Sequence, residues 1–262
     1  MATTIVGAEY DALAPSYDLL TAGYDYDRWI GKLLRWAREH GLRGRRALDV
    51  ACGTGKSFVP LLEAGFDVVG CDESRGMLAV AATRVPDPRA VQRHDMRVLP
   101  VLGSFDLITC IDDALNHLLS EQDVRDALAS MACNLAPGGL LVFDVNTLAT
   151  YRSAFATSEV FDVDDHLFAW RGLTGVDVAP GGVAELQLDV FAPAGEDPSL
   201  WRRTTSRHRE RHYPVAVIER LVRDAGLVVV DRRGQSPGVV LDAEIDEQRH
   251  TKALFLTRKE GP

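Results

Sequence analysis

The segment Leu48-Asp49-Val50-Ala51-Cys52-Gly53-Thr54-Gly55 leaves this chain few ways to fold. An apolar run stops in a turn with two glycines one residue apart, and helical spacing resumes through Phe58, Leu61 and Leu62. A buried strand, a glycine turn and a helix start, in that order, mark the switch point of an open α/β sheet, where ligands bind. Glycine opens backbone conformations closed to other residues and lets a ligand lie directly on the main chain. Asp49, just ahead of the turn, can receive a cationic or amino group.

Around this turn, β and α patterns alternate. Strands are predicted near residues 47–51, 68–72, 91–94, 105–111 and 140–145, and helices near 57–63, 75–84 and 121–135. Pro137-Gly138-Gly139 reads as a turn feeding the fifth strand. Such alternation gives a mostly parallel sheet with helices on both faces. Residues 1–40 read as helical, with a helix over 29–40 that ends at Gly41. After Asn146 the period becomes two, over 161–170, 184–191 and 200–212, broken by Pro180-Gly181-Gly182 and by residues 193–198. This predicts an antiparallel sheet inserted into the α/β domain. Helical spacing returns at 215–225, and strands near 227–232 and 252–257 close the chain. The expected organisation is a helical lid (1–40), a ligand-binding domain (41–150 and 214–262) and an inserted sheet (151–213) that covers the acceptor.

With 262 residues, 46% of them apolar, the chain can bury a substantial core. A net charge of −9 argues against general nucleic-acid or anionic-membrane binding. Trp201 to His212 (WRRTTSRHRERH) is the basic exception. Its two-residue period puts Trp201, Arg203, Thr205, Arg207, Arg209 and Arg211 on one face, suited to solvent or a second subunit. Arg202, Thr204, Ser206, His208, Glu210 and His212 share the other face, suited to a pocket wall. No run approaches the roughly 20 apolar residues of a membrane span. The N-terminal stretch lacks the basic start of a secretory leader. Cys52, Cys71, Cys110 and Cys133 form no CxxC pair, which suits buried free thiols in a reducing cytoplasm. The His, Cys and carboxylate spacings suggest no metal centre.

Three ligands compete for the glycine turn. Gly55-Lys56-Ser57 resembles the end of a P-loop, but that loop needs glycine at position 50, where Val50 stands. A dinucleotide site needs a third glycine where Phe58 stands. S-adenosylmethionine carries no phosphate and needs neither. It needs an acid for its ribose diol, which Asp72 supplies at the end of the second strand pattern. At the end of the third, Asp95 can accept from the adenine amino group and Met96 can touch the ring.

LDVACGTG, GCDES, HDM, FDLITCID and LAPGGLLVFD together resemble the ordered motifs of class I S-adenosylmethionine-dependent methyltransferases, over roughly residues 45–146. The resemblance implies a Rossmann-like seven-stranded sheet with an antiparallel last strand. It implies that Asp49, Gly53 and Gly55 hold the methionine part of the cofactor, Asp72 the ribose, and Asp95 with Met96 the adenine, with Ala51, Glu73 and Ile111 also in the cofactor site. The pattern Tyr10-Asp11…Tyr17-Asp18 resembles the amino-sugar and lincosamide N-methyltransferases of natural-product biosynthesis. In those, an N-terminal helix covers the cofactor and tyrosines line the pocket. Tyr10 and Tyr17 are carried over on that basis, and Trp29 as a contact to the cofactor's carboxylate end. His117, in Asp112-Asp113-Ala114-Leu115-Asn116-His117, can orient an acceptor or take its proton. It equally suits a loop histidine bonded to backbone, and the family often has an aromatic residue there.

The expectation is a cytoplasmic methyltransferase acting on the amine of a small acceptor, with no nucleic-acid or membrane partner and a homo-oligomer contact through the inserted sheet. The rival readings are an O-methyltransferase with His117 as general base and a cofactor-binding protein without transfer activity.

Overall fold

The computed structural model describes residues 6–259 apart from positions 196 and 198; the start of the expected N-terminal helical segment lies outside the described residues. α1 (Val6–Leu20) and α2 (Tyr26–Glu39) precede an alternating series. That series is β1 (Arg46–Val50), α3 (Phe58–Glu63), β2 (Asp67–Asp72), α4 (Arg75–Ala81), β3 (Val91–Arg93), β4 (Phe105–Cys110), α5 (Glu121–Cys133) and β5 (Leu135–Asn146). α6 (Leu148–Ser153) leads into β6 (Ser158–Val163), β7 (His166–Gly172), β8 (Val183–Pro193) and β9 (Trp201–Arg211). α7 (Val215–Asp224), β10 (Leu227–Ser236), β11 (Val240–Asp242) and β12 (Lys252–Lys259) complete the chain. Among the described residues no helix is long and apolar enough to cross a membrane.

The large sheet runs β11-β10-β12-β5-β4-β1-β2-β3. The seven expected strands are there, with β12 antiparallel to both β10 and β5, and the short β11 adds an eighth at the edge. β1 is buried along four of its five residues and β4 along five of six, which is why both read as unbroken apolar runs. β6 to β9 form a separate antiparallel sheet.

Three local readings are corrected. Residues 161–170 are the two arms of a hairpin, turned at Asp164 with φ 51°; an aspartate tolerates that left-handed conformation, so no glycine marked the turn. Pro137-Gly138-Gly139 lies within β5 and bulges between the pairs Phe105–Leu135 and Leu107–Leu140, with Gly138 at φ 77°. Of the cysteines, Cys133 is exposed and the other three are buried.

α1 is placed by its acidic side chains. Asp11 accepts from Ser74 Oγ (2.6 Å) and the Gly76 amide (2.7 Å) at the start of α4. These donors, the Gly76 amide first, hold the Asp11 carboxyl below its usual range. Gly76 permits the approach, because a Cβ there would lie 2.8 Å from the Asp11 carbonyl oxygen. Asp18 accepts from Thr54 Oγ1 (2.7 Å) in the glycine turn. Leu13 joins the core beneath the four-stranded sheet, with Phe168, Leu186 and Leu188. Asp11→Ala is therefore expected to weaken α1 docking by about 1–3 kcal/mol and to speed chymotryptic cleavage at Tyr10 and Tyr17 roughly tenfold. Cleavage at the native rate would overturn this account of how α1 is held.

Candidate active site

A cavity of about 420 Å³ opens where β1, β2 and β4 end. Its floor is the glycine turn, where Ala51 (φ 56°) and Gly53 (φ 54°) both take left-handed backbone. The Gly53 amide donates to Asp72 Oδ2 (2.9 Å) and the Ser74 amide to Asp72 Oδ1 (2.8 Å). These bonds aim the Asp72 carboxylate, and each oxygen keeps a lone pair for a further donor. Burial raises the Asp72 carboxyl above its usual range, partly offset by those amides. A Cβ on Gly53 would meet nothing within 4 Å, so the floor is open to a ligand.

The missing third glycine has a structural explanation. Phe58 is fully buried, and a Cβ on Gly70 would lie 2.9 Å from its ring. The close helix–strand contact is present, but the glycine that permits it sits on β2 instead of on the helix.

Ala51, Gly53, Asp72, Glu73, Asp95, Met96, Ile111 and Tyr17 line the cavity, as do Tyr10 and His117. Asp49, Gly55 and Trp29 do not. Asp49, 1% exposed, accepts from Ser57 Oγ and Thr109 Oγ1 (both 2.6 Å), and burial pushes its carboxyl up to about 6. It braces the turn from behind. Gly55 (φ 88°) turns the chain against Ala81 of α4. Trp29 is buried on α2, its ring 5.8 Å below the Lys252 ammonium. Asp95 lines the wall, but Arg97 engages both its oxygens (Nε 3.0 Å, Nη2 2.6 Å) and lowers its carboxyl's pKa.

Opposite the turn stands an aromatic and imidazole wall. Tyr10 Oη lies 2.9 Å from His117 Nε2. The Tyr10 ring meets Tyr17, His117 and His208 edge-on, at centroid distances of 6.2, 5.4 and 5.1 Å. Burial lowers the His117 pKa against the pull of Asp113, and burial then His117 lower His208 to about 4. Both imidazoles are therefore neutral at pH 7. Burial raises the Tyr10 and Tyr17 phenols well above their usual value, so neither ionises. β9 divides as its period predicts only from Ser206 onward: Ser206, His208, Glu210 and His212 are buried, and Arg203, Arg207 and Arg209 exposed. Arg202, expected inward, is exposed at the open end of the sheet, Thr204 and Arg211 are half-buried, and no inward-face residue lines the cavity. Arg209 nevertheless reaches the cavity mouth beside Glu9, because β9 is an edge strand.

The sequence reading missed a buried ion cluster. Asp112 and Asp113 both take left-handed backbone (φ 64° and 57°), and their amides donate to Asp144 (2.6 and 3.1 Å). Lys252 Nζ reaches Asp144 Oδ2 (2.9 Å), Asp112 Oδ1 (3.3 Å) and Asp113. Tyr26 Oη donates to Asp112 Oδ2 (2.7 Å). Burial alone would lower the lysine's pKa, but Asp113, Asp144 and Asp112 together hold it well above its usual value. A lysine opening the apolar run of β12 was the available signal; only the register that pairs Lys252 with Asn146 reveals its partners. The fold also gathers Asp113, His117 and Glu210, each with an atom within 4.8 Å of the others, which linear spacing could not show.

Residues 47–139 match the family model described as a methyltransferase domain. The Bacillus subtilis (strain 168) protein YqeM, named provisionally as a methyltransferase, is 30% identical over 83% of this chain and 85% of its own length. The dTDP-3-amino-3,6-dideoxy-alpha-D-glucopyranose N,N-dimethyltransferase of Streptomyces fradiae is 35% identical over 141 residues, 52% of this chain and 54% of its own. The solved structure of an S-adenosylmethionine-dependent methyltransferase from Clostridium acetobutylicum shares the fold, with a TM-score of 0.79 at 24% identity over 96% of this chain and 99% of that one. A relative matched along most of both chains, together with the methyltransferase-domain match, places this chain in the S-adenosylmethionine-dependent methyltransferases, with S-adenosylmethionine as its cofactor.

Proposed function

We propose that this enzyme methylates the amine of a small acceptor, as a cytoplasmic step of natural-product biosynthesis. The observation that carries the reading is the hydrogen bond on the cavity wall between Tyr10 of α1 and His117 of the short helical stretch after β4. Residues 1–40 act as the lid and 151–213 as the acceptor cover. The outer face of the inserted sheet, with exposed Val160 and Trp201, serves as contact for a second copy.

S-adenosylmethionine supplies a methyl group on a sulfonium. When it is bound, Gly53 would hold its methionine part, Asp72 its ribose and Met96 its adenine, with Ala51, Glu73 and Ile111 lining the same cavity. Tyr17 closes the cavity from the lid side. Asp49, Gly55 and Trp29 support this wall from behind. Two neutral groups, Tyr10 and His117, face the acceptor. They orient its nitrogen and remove the proton that would block its lone pair. A hydroxyl acceptor would use the same neutral His117 as base. The Streptomyces fradiae relative, named for an amino-sugar substrate, favours the amine.

Three measurements follow from this assignment. Titration calorimetry of Asp72→Ala is expected to show cofactor binding at least about tenfold weaker, or roughly 1.4 kcal/mol; native affinity would remove Asp72 from the site.

The second concerns pH. The Asp49 carboxyl, raised from 3.8 to about 6, binds its proton more tightly folded than unfolded. That stabilisation is complete below the unfolded value and is lost as pH rises through about 6. Asp49→Asn is therefore expected to flatten this decline in thermal stability and to stabilise the cofactor-free protein at neutral pH by up to about 3 kcal/mol. Parallel pH–stability curves for native and variant proteins would contradict it.

The third is transfer itself. With labelled cofactor, dTDP-3-amino-3,6-dideoxyglucose is expected to accept methyl groups where its 3-hydroxy counterpart does not. His117→Phe should lower kcat about 100-fold. Methylation of the hydroxyl compound alone would replace the amine reading with the O-methyltransferase one.

A further inference from the structure

Glu210 of β9 lines no part of the cavity and is 5% exposed. Its two oxygens are treated differently. Oε2 accepts from Asn146 Nδ2 (2.9 Å) and Tyr151 Oη (3.2 Å). Oε1 has no hydrogen-bond partner among the described residues and lies 3.9 Å from His117 Nε2. Asn146 is itself held, its amide donating to Asn116 Oδ1 (2.9 Å), and Asn116 Nδ2 donates to the Arg211 carbonyl (2.9 Å). One end of the carboxyl is thus anchored from β5 and α6 while the other is aimed at the imidazole that bonds Tyr10.

We propose that Glu210 is a positioning residue that acts through His117, storing the proton that the acceptor gives up along the line Tyr10–His117–Glu210. This rests on the amine reading above. The acceptor N–H bond breaks and its proton joins the Tyr10 oxygen, while the Tyr10 O–H proton moves to His117 Nε2. Tyr10 is neutral before and after. The freed nitrogen pair forms the bond to the methyl carbon, and the electrons of the carbon–sulfur bond stay on sulfur. Glu210 starts as the carboxylate; once the protonated imidazole turns its Nε2–H from Tyr10 toward Oε1 and closes the 3.9 Å gap, that proton passes to Oε1, leaving neutral His117 and a neutral Glu210 carboxyl. A carboxylate suits this task because burial, then the charge of Asp113, raise its proton affinity well above an ordinary glutamate's. The other groups that act on it are Lys252 of β12, which favours the ionised form, and the hydroxyl of Tyr151 on α6, with Asn146 of β5. On β9 itself, His208 and His212 are held neutral by burial. A metal ion shared by Asp113, His117 and Glu210 is the rival use of the same atoms. Lys252 already supplies a cation to Asp113, which favours the proton.

The test needs no acceptor. Cofactor-free protein labelled with 13C at the glutamate carboxyls and 15N at the histidine rings is titrated by NMR. Loss of one signal in Glu210→Gln and another in His117→Phe assigns the two residues. The expected result is one shared inflection, above the ordinary glutamate range, seen by both the Glu210 carboxyl and the His117 ring nitrogens. In Glu210→Gln the His117 nitrogens should lose that inflection. His117 silent through the Glu210 inflection, or Glu210 titrating in the ordinary range, overturns the proposal. So does a divalent ion that, added to the cofactor-free protein, moves the Glu210 and His117 signals together. Calorimetry with S-adenosylmethionine on the same samples separates the two claims: intact binding with uncoupled titrations sinks the relay alone.

Discussion

Lys252 is the residue on which the arrangement of the site depends. Its ammonium is buried among Asp112, Asp113 and Asp144, carried by β12, β5 and the turn after β4. Removing one partner of such a buried set typically costs about 3–5 kcal/mol, because the remaining charges lose their compensation. The same cluster explains why two consecutive non-glycine residues hold left-handed backbone. Asp144 accepts both of their amides, and Lys252 holds their side chains. That turn sets the start of the short helical stretch carrying His117. Through Tyr26, the cluster also fixes α2.

Three acids at or near strand ends looked equivalent in the sequence and are not equivalent in the fold. Asp72 is aimed by two backbone amides and keeps acceptor capacity toward the cavity. Asp95 is engaged by Arg97. Asp49 is enclosed by two hydroxyls and carries a charge that burial makes costly. Burial and local donors, not residue type or spacing, separate a ligand-facing carboxylate from a structural one. The glycine turn shows the same division. Gly53 faces the cavity, Gly55 faces α4, and the contact usually made possible by a helix glycine is made possible by Gly70.

What was legible followed from periodicity and from local chemistry. Long apolar strands, their alternation with helices, and the switch to a two-residue period after Asn146 recovered the two sheets. The inward and outward faces of β9 followed from the same period only over Ser206–Glu210, because the start of the strand is open to solvent on both faces. What was not legible depended on partners far apart in the chain. The hairpin at Asp164 lacked a glycine or proline, and the bulge at Gly138 was hidden in a plausible turn. Lys252 reads as an ordinary strand residue until the β12–β5 register places it near Asp144.

The chain's own pattern therefore determined the fold class, the position of the cofactor turn and the candidacy of His117, because these rest on spacing and residue chemistry within short segments, while Tyr10 and Tyr17 entered through the family resemblance. Only the tertiary structure decided which acids face the cavity, that Lys252 sits among Asp112, Asp113 and Asp144, and that Glu210 stands behind His117. Those outcomes depend on burial and on distances between residues tens to hundreds of positions apart, which no local pattern encodes.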